Sequence, residues 1–283
     1  MSAVPSPARR LGSLIRDAAT LSDADIDRIL AYQQKSGLRF GESAVALRLV
    51  DRNAVIEALS RQFQYPSGFA GRALSAELAA AVDPFGDQAE AFRELRSRLL
   101  LEVMTEGTRA ALAIASPDIG DGKTYLAANL GVAFSQLAEP TLLIDCDMRM
   151  PRLHRVLNVA GPVGVSNVLA GLADVGSLVH EVPGLPNLYL LPAGAVPPNP
   201  LELLQRPGLR ALIRAMLERF THVIVDTPAA IRGADSRVVA AHSGAALVIA
   251  RRNETGMGPL EGLLSALARG PAKVAGVVVN ERR

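Results

Sequence analysis

A short loop carries the clearest chemistry in this chain. Residues 113–131 read AIASPDIGDGKTYLAANLG, an apolar run that turns into a helical pattern. Gly120 and Gly122 suit close backbone approach to a ligand, and Lys123 and Thr124 follow directly. In such a loop backbone N–H groups hold phosphate, the lysine reaches the outer phosphates and the threonine hydroxyl binds Mg²⁺. The segment predicts a site for ATP and Mg²⁺, although Ser116 stands where an opening glycine is expected.

Carboxylates follow two other apolar runs. In HVIVDTP the apolar run ends at Asp226, where a carboxylate that holds Mg²⁺ through water is expected. The segment TLLIDCDMRMPRLH contains Asp145 and Asp147. A buried strand rarely ends in two aspartates separated by one residue unless a cation or donors satisfy them. The alternative is that these are solvated carboxylates at strand ends. We predict that the metal is held by Thr124, Asp147 and Asp226.

The elements around these residues alternate in type. Six apolar runs predict strands, with helical patterns between most of them: RAALAIAS, PTLLIDCD, NLYLLPAG, HVIVDTP, AALVIA and AKVAGVVVN. This alternation is typical of a mostly parallel sheet covered on both faces, in which ligands lie at the carboxyl ends of the strands. The predicted fold is an α/β P-loop NTPase preceded by a small, mainly helical N-terminal domain.

Composition excludes several classes of protein. The 283 residues carry 30 basic and 28 acidic side chains, a net charge of +2 that gives no case for binding nucleic acid. One cysteine, Cys146, cannot form an internal disulfide, and the first ten residues lack the apolar run of a signal peptide. The charge-free stretch 182–201 contains six prolines and cannot span a bilayer as one helix. We expect a cytoplasmic protein with no membrane span.

The N-terminal region contains a tandem repeat. Residues 10–33 and 39–62 align at a constant offset of 29, and each copy ends in apolar residues at helical spacing. Ser22 is the predicted N-cap of the first of these helices, with Asp25 three residues later. We predict a small domain over 1–66, a linker over 67–82 and a nucleotide domain over 83–283.

The repeat resembles the cyclic di-GMP-binding N-terminal domain of type II secretion and MSHA pilus ATPases. That resemblance implies that arginines pair with phosphate or guanine edges, glycines admit the ligand to the backbone and glutamines hydrogen-bond to it. The alternative is a helical docking module that has lost its ligand. The residues matched to the ligand site are Arg10, Leu11, Gly12, Gln33, Arg39, Gly41 and Gln62.

Residues from about 83 to 280 resemble the bacterial tyrosine kinases of exopolysaccharide chain-length control. Those enzymes use a loop like S-x-x-P-G-E-G-K-[ST], so Ser116 is their choice at that position, whereas Ile119 and Asp121 replace their proline and glutamate. LPAGAVPPNPLELL also matches a segment of that family. The resemblance implies nucleotide-binding roles for Ser116, Gly120, Asp121, Gly122, Lys123, Thr124, Tyr125 and Asn280.

A third motif concerns assembly. EAFRELRSRL contains Glu90, Arg93 and Arg96 as E-x-x-R-x-x-R, which in the resembled family packs subunits into a ring. Taken alone, the motif fits an exposed helix with i, i+3 charge pairs. Taken together with the phosphate-binding loop and the LPAGAVPPNPLELL segment, the motif predicts a homo-oligomer.

The resemblance implies a kinase that partners the cytosolic tail of a membrane chain-length determinant at the inner face of the inner membrane. In that reading Lys123 stabilises the transferred phosphoryl group, and Asp145 or Asp147 accepts the tyrosine proton. One alternative is a partition or septum-site ATPase, which Asp118 disfavours because such proteins have a lysine at that position. Another is a non-catalytic scaffold that responds to cyclic di-GMP.

The tyrosines bear on the substrate. Tyr32, Tyr65, Tyr125 and Tyr189 form no cluster, and VVVNERR contains none, whereas the resembled kinases carry a tyrosine run after the last strand. We therefore expect phosphorylation of a separate polypeptide, or an ATP-driven switch of assembly, in place of tail autophosphorylation.

Overall fold

The chain forms two compact units. They are Met1–Arg72 and Ala73–Arg283. The computed structural model describes residues 21–51, 54–56, 58, 74–105 and 109–281.

The first unit contains two described helices, α1 (Asp23–Ser36) and α2 (Phe40–Ala46). The predicted cap is confirmed: the Asp25 N–H donates to Ser22 Oγ, and the Ser22 N–H donates to the Asp25 carboxylate, both at 3.2 Å. Gly37 ends α1 in the left-handed region, φ 70°. The apolar faces meet in a small core of Leu21, Ile29, Phe40, Ala44, Val50, Val55 and Ala58.

The second unit is built on a seven-stranded sheet. Its strands are β1 (Ala111–Ala115), β2 (Thr141–Asp145), β3 (His180–Glu181), β4 (Leu188–Leu191), β5 (His222–Asp226), β6 (Gly244–Arg251) and β7 (Lys273–Asn280). Their order across the sheet is β3-β4-β2-β5-β1-β6-β7, and every pairing is parallel except that of β3 with β4. All six predicted strands are confirmed; the two-residue edge strand β3 was not foreseen.

Helices cover both faces of this sheet, as predicted for the α/β class. Those on one face are α3 (Ala79–Val82), α4 (Asp87–Glu102), α5 (Lys123–Ser135) and α6 (Leu153–Val156). Those on the other are α7 (Val165–Leu169), α8 (Pro200–Leu204), α9 (Pro207–Arg219), α10 (Asp235–Ser243) and α11 (Met257–Ala268). Two single 3₁₀ turns, Val175–Ser177 and Ala230–Arg232, lie in connecting loops.

The strand sequences explain the two cores. In β1, Leu112 and Ile114 point into the core beneath α5, whereas the alternate alanines face α10 and α11. Small residues on that side allow close helix packing. Because β1 is buried on both faces, it reads as a continuous apolar run and not as an alternating one.

The second unit begins inside the predicted linker. Leu78 is 1% exposed, and α3 packs on α5 and contributes Ala80 and Ala81 to the core beneath it. The end of the predicted linker 67–82 is thus packed on the second unit by apolar burial. Among the residues that the structure describes, no helix is long and apolar enough to cross a bilayer.

One buried side chain fastens residues 77–82, the entry segment of the second unit. Asn129 of α5 accepts from the Ala80 N–H at 2.9 Å and donates to the Glu77 carbonyl at 2.8 Å. Asn129 is fully buried, so its amide replaces hydrogen bonds that the segment could otherwise make only with water.

Asn129→Ala should destabilise the second unit by roughly 1–3 kcal/mol for each backbone group left buried without a partner. Thermal unfolding of the full chain and amide exchange at Ala80 measure the effect, with exposed Gln205→Ala as the control. Unchanged exchange at Ala80 in the variant would contradict the role of Asn129.

Candidate functional site

The loop between β1 and α5 is shaped by its own side chains. The Ser116 hydroxyl donates to the Asp118 carbonyl at 2.7 Å and accepts from Lys123 Nζ at 2.9 Å. Ser116 is fully buried, so its hydroxyl serves the loop and not solvent. A glycine in this position could not hold the lysine ammonium, which gives a physical reason for the departure noted in the sequence.

Position 122 requires a residue without a side chain. It precedes α5 with φ 107°, and a Cβ there would lie 2.5 Å from Asn280 Nδ2. That Nδ2 donates to the Asp121 carbonyl at 2.9 Å. The end of β7 is therefore packed directly against the loop. Gly120 also has a left-handed φ, 88°, but open space around its Cβ position.

Asp121 holds the loop from within. Its carboxylate accepts from the Asp118 N–H at 2.9 Å and from the Thr255 hydroxyl at 2.7 Å. Asp121 is 2% exposed and does not line the cavity, so its observed contacts are to the protein. Thr255, in the loop after β6, was not foreseen, because only the pairing of β6 with β1 brings that loop beside the phosphate-binding loop.

The predicted carboxylates meet at the carboxyl ends of β2 and β5. Asp145 and Asp226 are register partners on these neighbouring strands, and both are fully buried. The Thr124 hydroxyl donates to Asp226 at 2.7 Å. The structure thus brings together the first residues of α5 and the ends of two strands.

Asp145 and Asp147 differ in their surroundings. Asp145 accepts from the Asp147 N–H at 3.1 Å and from the Arg152 and Leu153 N–H groups at 3.2 Å, behind the cavity wall. Asp147 is partly exposed and lines the cavity. Asp145 therefore organises the turn after β2, whereas Asp147 faces the space in which a ligand would lie.

Burial perturbs the charges of this cluster. Loss of solvent raises the pKa of Asp226 to about 7, against the Thr124 hydrogen bond and the Lys123 ammonium, which lower it. Burial, with the charges of Asp226 and Asp147 beside it, raises the pKa of Asp145 well above its usual value. Burial lowers the pKa of Lys123, although the same carboxylates oppose that effect. With all three carboxylates ionised, the cluster would hold more negative charge than one lysine neutralises, and the raised pKa values reflect that cost.

A cavity of about 780 Å³ opens above these groups. It is lined by Ala76, Glu77, Gln88, Ile119, Gly120, Gly122, Lys123, Thr124, Tyr125, Asp147, Arg149, Met150, Arg152, Pro228, Ala229, Arg232, Asn280 and Glu281. Six of the eight predicted nucleotide-binding residues are in this wall, whereas Ser116 and Asp121 lie behind it. The volume suits a nucleotide-sized ligand.

The donor set fits phosphate and Mg²⁺. Lys123 and the start of α5 face the cavity and offer positive charge to an anion. Thr124, Asp147 and Asp226 offer the oxygen ligands that Mg²⁺ prefers. Among the described residues, no group of three or more His, Cys, Asp or Glu side chains is arranged to hold a metal unaided. A Mg²⁺ ion here would therefore complete its shell with phosphate oxygens and water.

Sequence reasoning missed the basic wall of the cavity. Arg149 forms a bidentate ion pair with Asp235 of α10, with both N–O distances 3.1 Å, and Asp235 is 1% exposed. Arg152 pairs with Glu77 of the entry segment. The arginines were visible in the sequence, but their partners lie 86 and 75 residues away, and no local pattern connects them.

The other predicted residues lie away from this cavity. On α4, Arg93 donates to Glu90 at 2.8 Å and to the Pro84 carbonyl at 2.7 Å, and Arg96 donates to the Ala133 carbonyl of α5. The Glu90–Arg93 contact is the i, i+3 pair of the alternative interpretation. Their role in assembly stays a prediction.

The repeat residues are placed only in part. In the first unit Gln33 is partly exposed, Arg39 is exposed and Gly41 is buried. A Cβ at Gly41 would lie 2.5 Å from a Val55 methyl, which is a packing reason for that glycine. Arg10, Leu11, Gly12 and Gln62 lie outside the described residues.

The raised pKa of Asp226 predicts that the free energy of unfolding depends on pH when neither nucleotide nor metal is bound. Between pH 3.8, the ordinary pKa of an aspartate, and about pH 7, the folded chain keeps a proton that the unfolded chain has lost, so stability falls as pH rises through this window. Asp226→Asn preserves an oxygen acceptor for Thr124 and removes the titration. Its thermal midpoint in EDTA should exceed that of the wild type at pH 8, with the difference shrinking towards pH 4.

Exposed Glu218→Gln on α9 is the control for this titration. A difference between Asp226→Asn and the wild type that stays constant from pH 4 to 8 would contradict the predicted titration of Asp226.

Comparison with known proteins agrees with this architecture. The tyrosine-protein kinase wzc of Salmonella typhimurium is 35% identical over 205 residues, which cover 72% of this chain and 28% of the relative. The chain thus spans little more than a quarter of that relative's length. The kinase domain of Escherichia coli tyrosine kinase ETK superposes with a TM-score of 0.70 at 28% identity, over 75% of this chain and 83% of that one.

A wider relationship is visible in the nucleotide unit. The Pyrococcus furiosus cell division ATPase MinD superposes with a TM-score of 0.55 at 27% identity, over 61% of this chain and 72% of that one. Residues 112–283 match the family described as CobQ/CobB/MinD/ParA nucleotide binding domain. The match covers the phosphate-binding loop, the buried carboxylates and all of the sheet except Ala111. The chain therefore belongs to the CobQ/CobB/MinD/ParA nucleotide-binding family, and its relatives include bacterial tyrosine-protein kinases.

Proposed function

We propose that this chain is an ATP- and Mg²⁺-dependent protein tyrosine kinase that regulates exopolysaccharide chain length and export. The observation that carries the proposal is the contact of Thr124 with Asp226 beside the buried Lys123. This contact joins the start of the phosphate-binding helix to an adjacent strand end, where Mg²⁺ and phosphate would meet. Similarity to wzc and to the ETK kinase domain supports the choice of kinase over other nucleotide enzymes.

The proposed roles follow from exposure and contacts. Lys123 binds the outer phosphates, while Thr124 and Asp226 hold Mg²⁺, directly or through water. Bound Mg²⁺ would neutralise phosphate charge during transfer. Gly120, Gly122, Tyr125 and Asn280 complete the nucleotide cavity.

The reaction needs a proton acceptor at the cavity surface. Phosphoryl transfer forms a bond from phosphorus to the tyrosine oxygen, breaks the bond to the leaving ADP oxygen and releases the phenolic proton. Asp147 lines the cavity, whereas Asp145 is enclosed by backbone N–H groups. We therefore assign the proton to Asp147, in place of a role as Mg²⁺ ligand, and a positioning role to Asp145.

Location and assembly are part of the proposal. The sequence resemblance to kinases of exopolysaccharide chain-length control leads us to place the chain beside the cytosolic tail of a membrane chain-length determinant, at the inner face of the inner membrane. Glu90, Arg93 and Arg96 would join copies of the chain. In the single chain Arg93 contacts Glu90 and the Pro84 carbonyl, and Arg96 contacts the Ala133 carbonyl. Assembly through these arginines would therefore exchange contacts within the chain for contacts between subunits.

The family match and the MinD superposition favour a second candidate, an ATPase switch of the partition and septum-site kind. In that case hydrolysis would control assembly and no protein would be phosphorylated. Asp118 argues against it, because it puts a carboxylate where such proteins carry a lysine that reaches the partner's nucleotide.

We also propose that cyclic di-GMP binds the first unit. The support is the repeat with its offset of 29 and the exposure of Arg39, which leaves its guanidinium accessible to a phosphate. Because Gly41 has a packing role against Val55, the arginines would carry most of the recognition.

Lys123→Met should lower phosphoryl transfer at least about 100-fold, because the transferred group loses its main cationic contact. The assay is full-length protein with labelled ATP and Mg²⁺, with and without the cytosolic end of a chain-length determinant, followed by phosphosite mapping. Lys35→Met on α1 is the matched control and should be fully active.

The outcomes separate the candidate functions. Phosphotyrosine that requires Lys123 supports the kinase, and ATP hydrolysis without phosphoprotein supports the assembly switch. Binding of ATP with neither reaction would reduce the chain to a scaffold, and transfer by Lys123→Met at the wild-type rate would remove the assignment of Lys123.

For the first unit, calorimetry with cyclic di-GMP should give a binding isotherm that Arg39→Ala weakens at least about 5-fold, the loss expected for one charge-assisted contact. Arg28→Ala, another exposed arginine in the same unit, is the control. No heat from the wild type, or equal weakening by both variants, would contradict the proposal.

A further inference from the structure

The mouth of the nucleotide cavity carries large apolar side chains that protein packing does not explain. Ile119, Met150 and Ile231 are 53%, 57% and 69% exposed. Each belongs to a loop that shapes the cavity: the phosphate-binding loop, the loop after β2 and the 3₁₀ turn after β5. Exposed apolar groups clustered at a cavity mouth are typical of a surface that binds another molecule.

The backbone that carries two of these side chains is held by hydrogen bonds. The Met150 N–H donates to Asp147 at 2.9 Å, and the Ile231 N–H donates to the Pro117 carbonyl at 3.0 Å. The mouth is therefore fixed relative to the proposed proton acceptor and to the phosphate-binding loop. A molecule that rests on it would have its reactive group placed by the same loops.

Arg232 adds a positive charge at this mouth. Arg149 and Arg152, which also line the cavity, are ion-paired with Asp235 and Glu77. The Arg232 guanidinium instead contacts the Met150 sulfur at 3.7 Å, and within the described part of the chain no carboxylate pairs with it. Its charge is available to a ligand.

The sheet order decides which end of the cavity this is. β1 lies between β5 and β6, so Asn280 and Glu281 at the end of β7 lie on one side of the phosphate-binding loop. The loops after β2 and β5, with Asp147, Met150 and Arg232, lie on the other. The base of a nucleotide fits the Asn280 side, because the buried carboxylates Asp145 and Asp226, together with Asp147, occupy the other. The second substrate must therefore enter past Met150 and Arg232.

We propose that this mouth is the acceptor site, that it takes a tyrosine flanked by acidic residues on a separate polypeptide, and that Arg232 selects the acidic flank. The inference rests on the proposed kinase function. The tyrosine ring would pack against Met150 and Ile119, with its hydroxyl near Asp147, and an Asp or Glu beside it would pair with Arg232. Arg232 is thus a specificity residue, and the apolar rim supplies contact that any tyrosine would use.

The test measures binding apart from catalysis. Full-length protein is saturated with Mg²⁺ and a non-hydrolysable ATP analogue, and titrated into fluorescein-labelled peptides whose single tyrosine is flanked by aspartates, asparagines or lysines. Wild type should bind the aspartate peptide about 5-fold more tightly than the asparagine peptide, the scale of one partly exposed ion pair. Arg232→Gln should abolish that preference and Arg232→Glu should shift it to the lysine peptide.

Matched controls make the outcomes decisive. Arg214→Gln, an exposed arginine on α9, should keep the wild-type preference. Equal binding of the three peptides by wild type would overturn the inference, and so would equal effects of the Arg214 and Arg232 variants. If Arg232→Gln weakens ADP binding as much as peptide binding, Arg232 belongs to the nucleotide site and the inference is wrong. Absence of phosphotransfer by wild type with the peptide preference intact would instead contradict the kinase function alone.

Discussion

Two carboxylates at the ends of adjacent strands constrain everything around them. Asp145 and Asp226 are register partners in β2 and β5, and both side chains are fully buried. Away from solvent, two neighbouring negative charges would repel strongly. The chain offsets this with backbone N–H donors, the Thr124 hydroxyl and the buried Lys123 ammonium. These partners leave the cluster short of positive charge. A cation would supply the missing positive charge, and a phosphate chain would supply the remaining ligands of that cation. Ligand binding would therefore also stabilise this part of the fold.

The parallel sheet is what makes such a cluster possible. Parallel strands end at one edge, so segments far apart in the chain deliver their polar residues to the same place. The bond from Thr124 to Asp226 spans 102 residues, and that from Thr255 to Asp121 spans 134. Apolar burial on both faces of the sheet holds these strand ends in register. The position of the site therefore depends on the core as well as on its own hydrogen bonds.

The features that could be predicted from the sequence were local ones. Continuous apolar runs located six strands, the Ser22 and Asp25 spacing located a helix cap, and the glycines before Lys123 located the phosphate-binding loop. The partners of Arg149, Asp121 and Asn129 depend on register and helix packing over long separations, for which a single sequence carries no periodic pattern. Strand β3 is two residues long and has no period to detect. Asp145 and Asp147 could be found but not distinguished, because only burial separates them.

The contact of Asn280 with the phosphate-binding loop has a consequence for biosynthesis. The loop ends at residue 122, but the side chain that bonds Asp121 and fills the space beside Gly122 is the last residue of β7. During translation, the ribosome must therefore release more than 150 further residues after the loop before it can take its final shape. The Asn280 contact can stabilise the loop only late, so burial of the early strands comes before it. The apolar residues of β1 and the apolar middle segments of β2 and β5 suit that requirement.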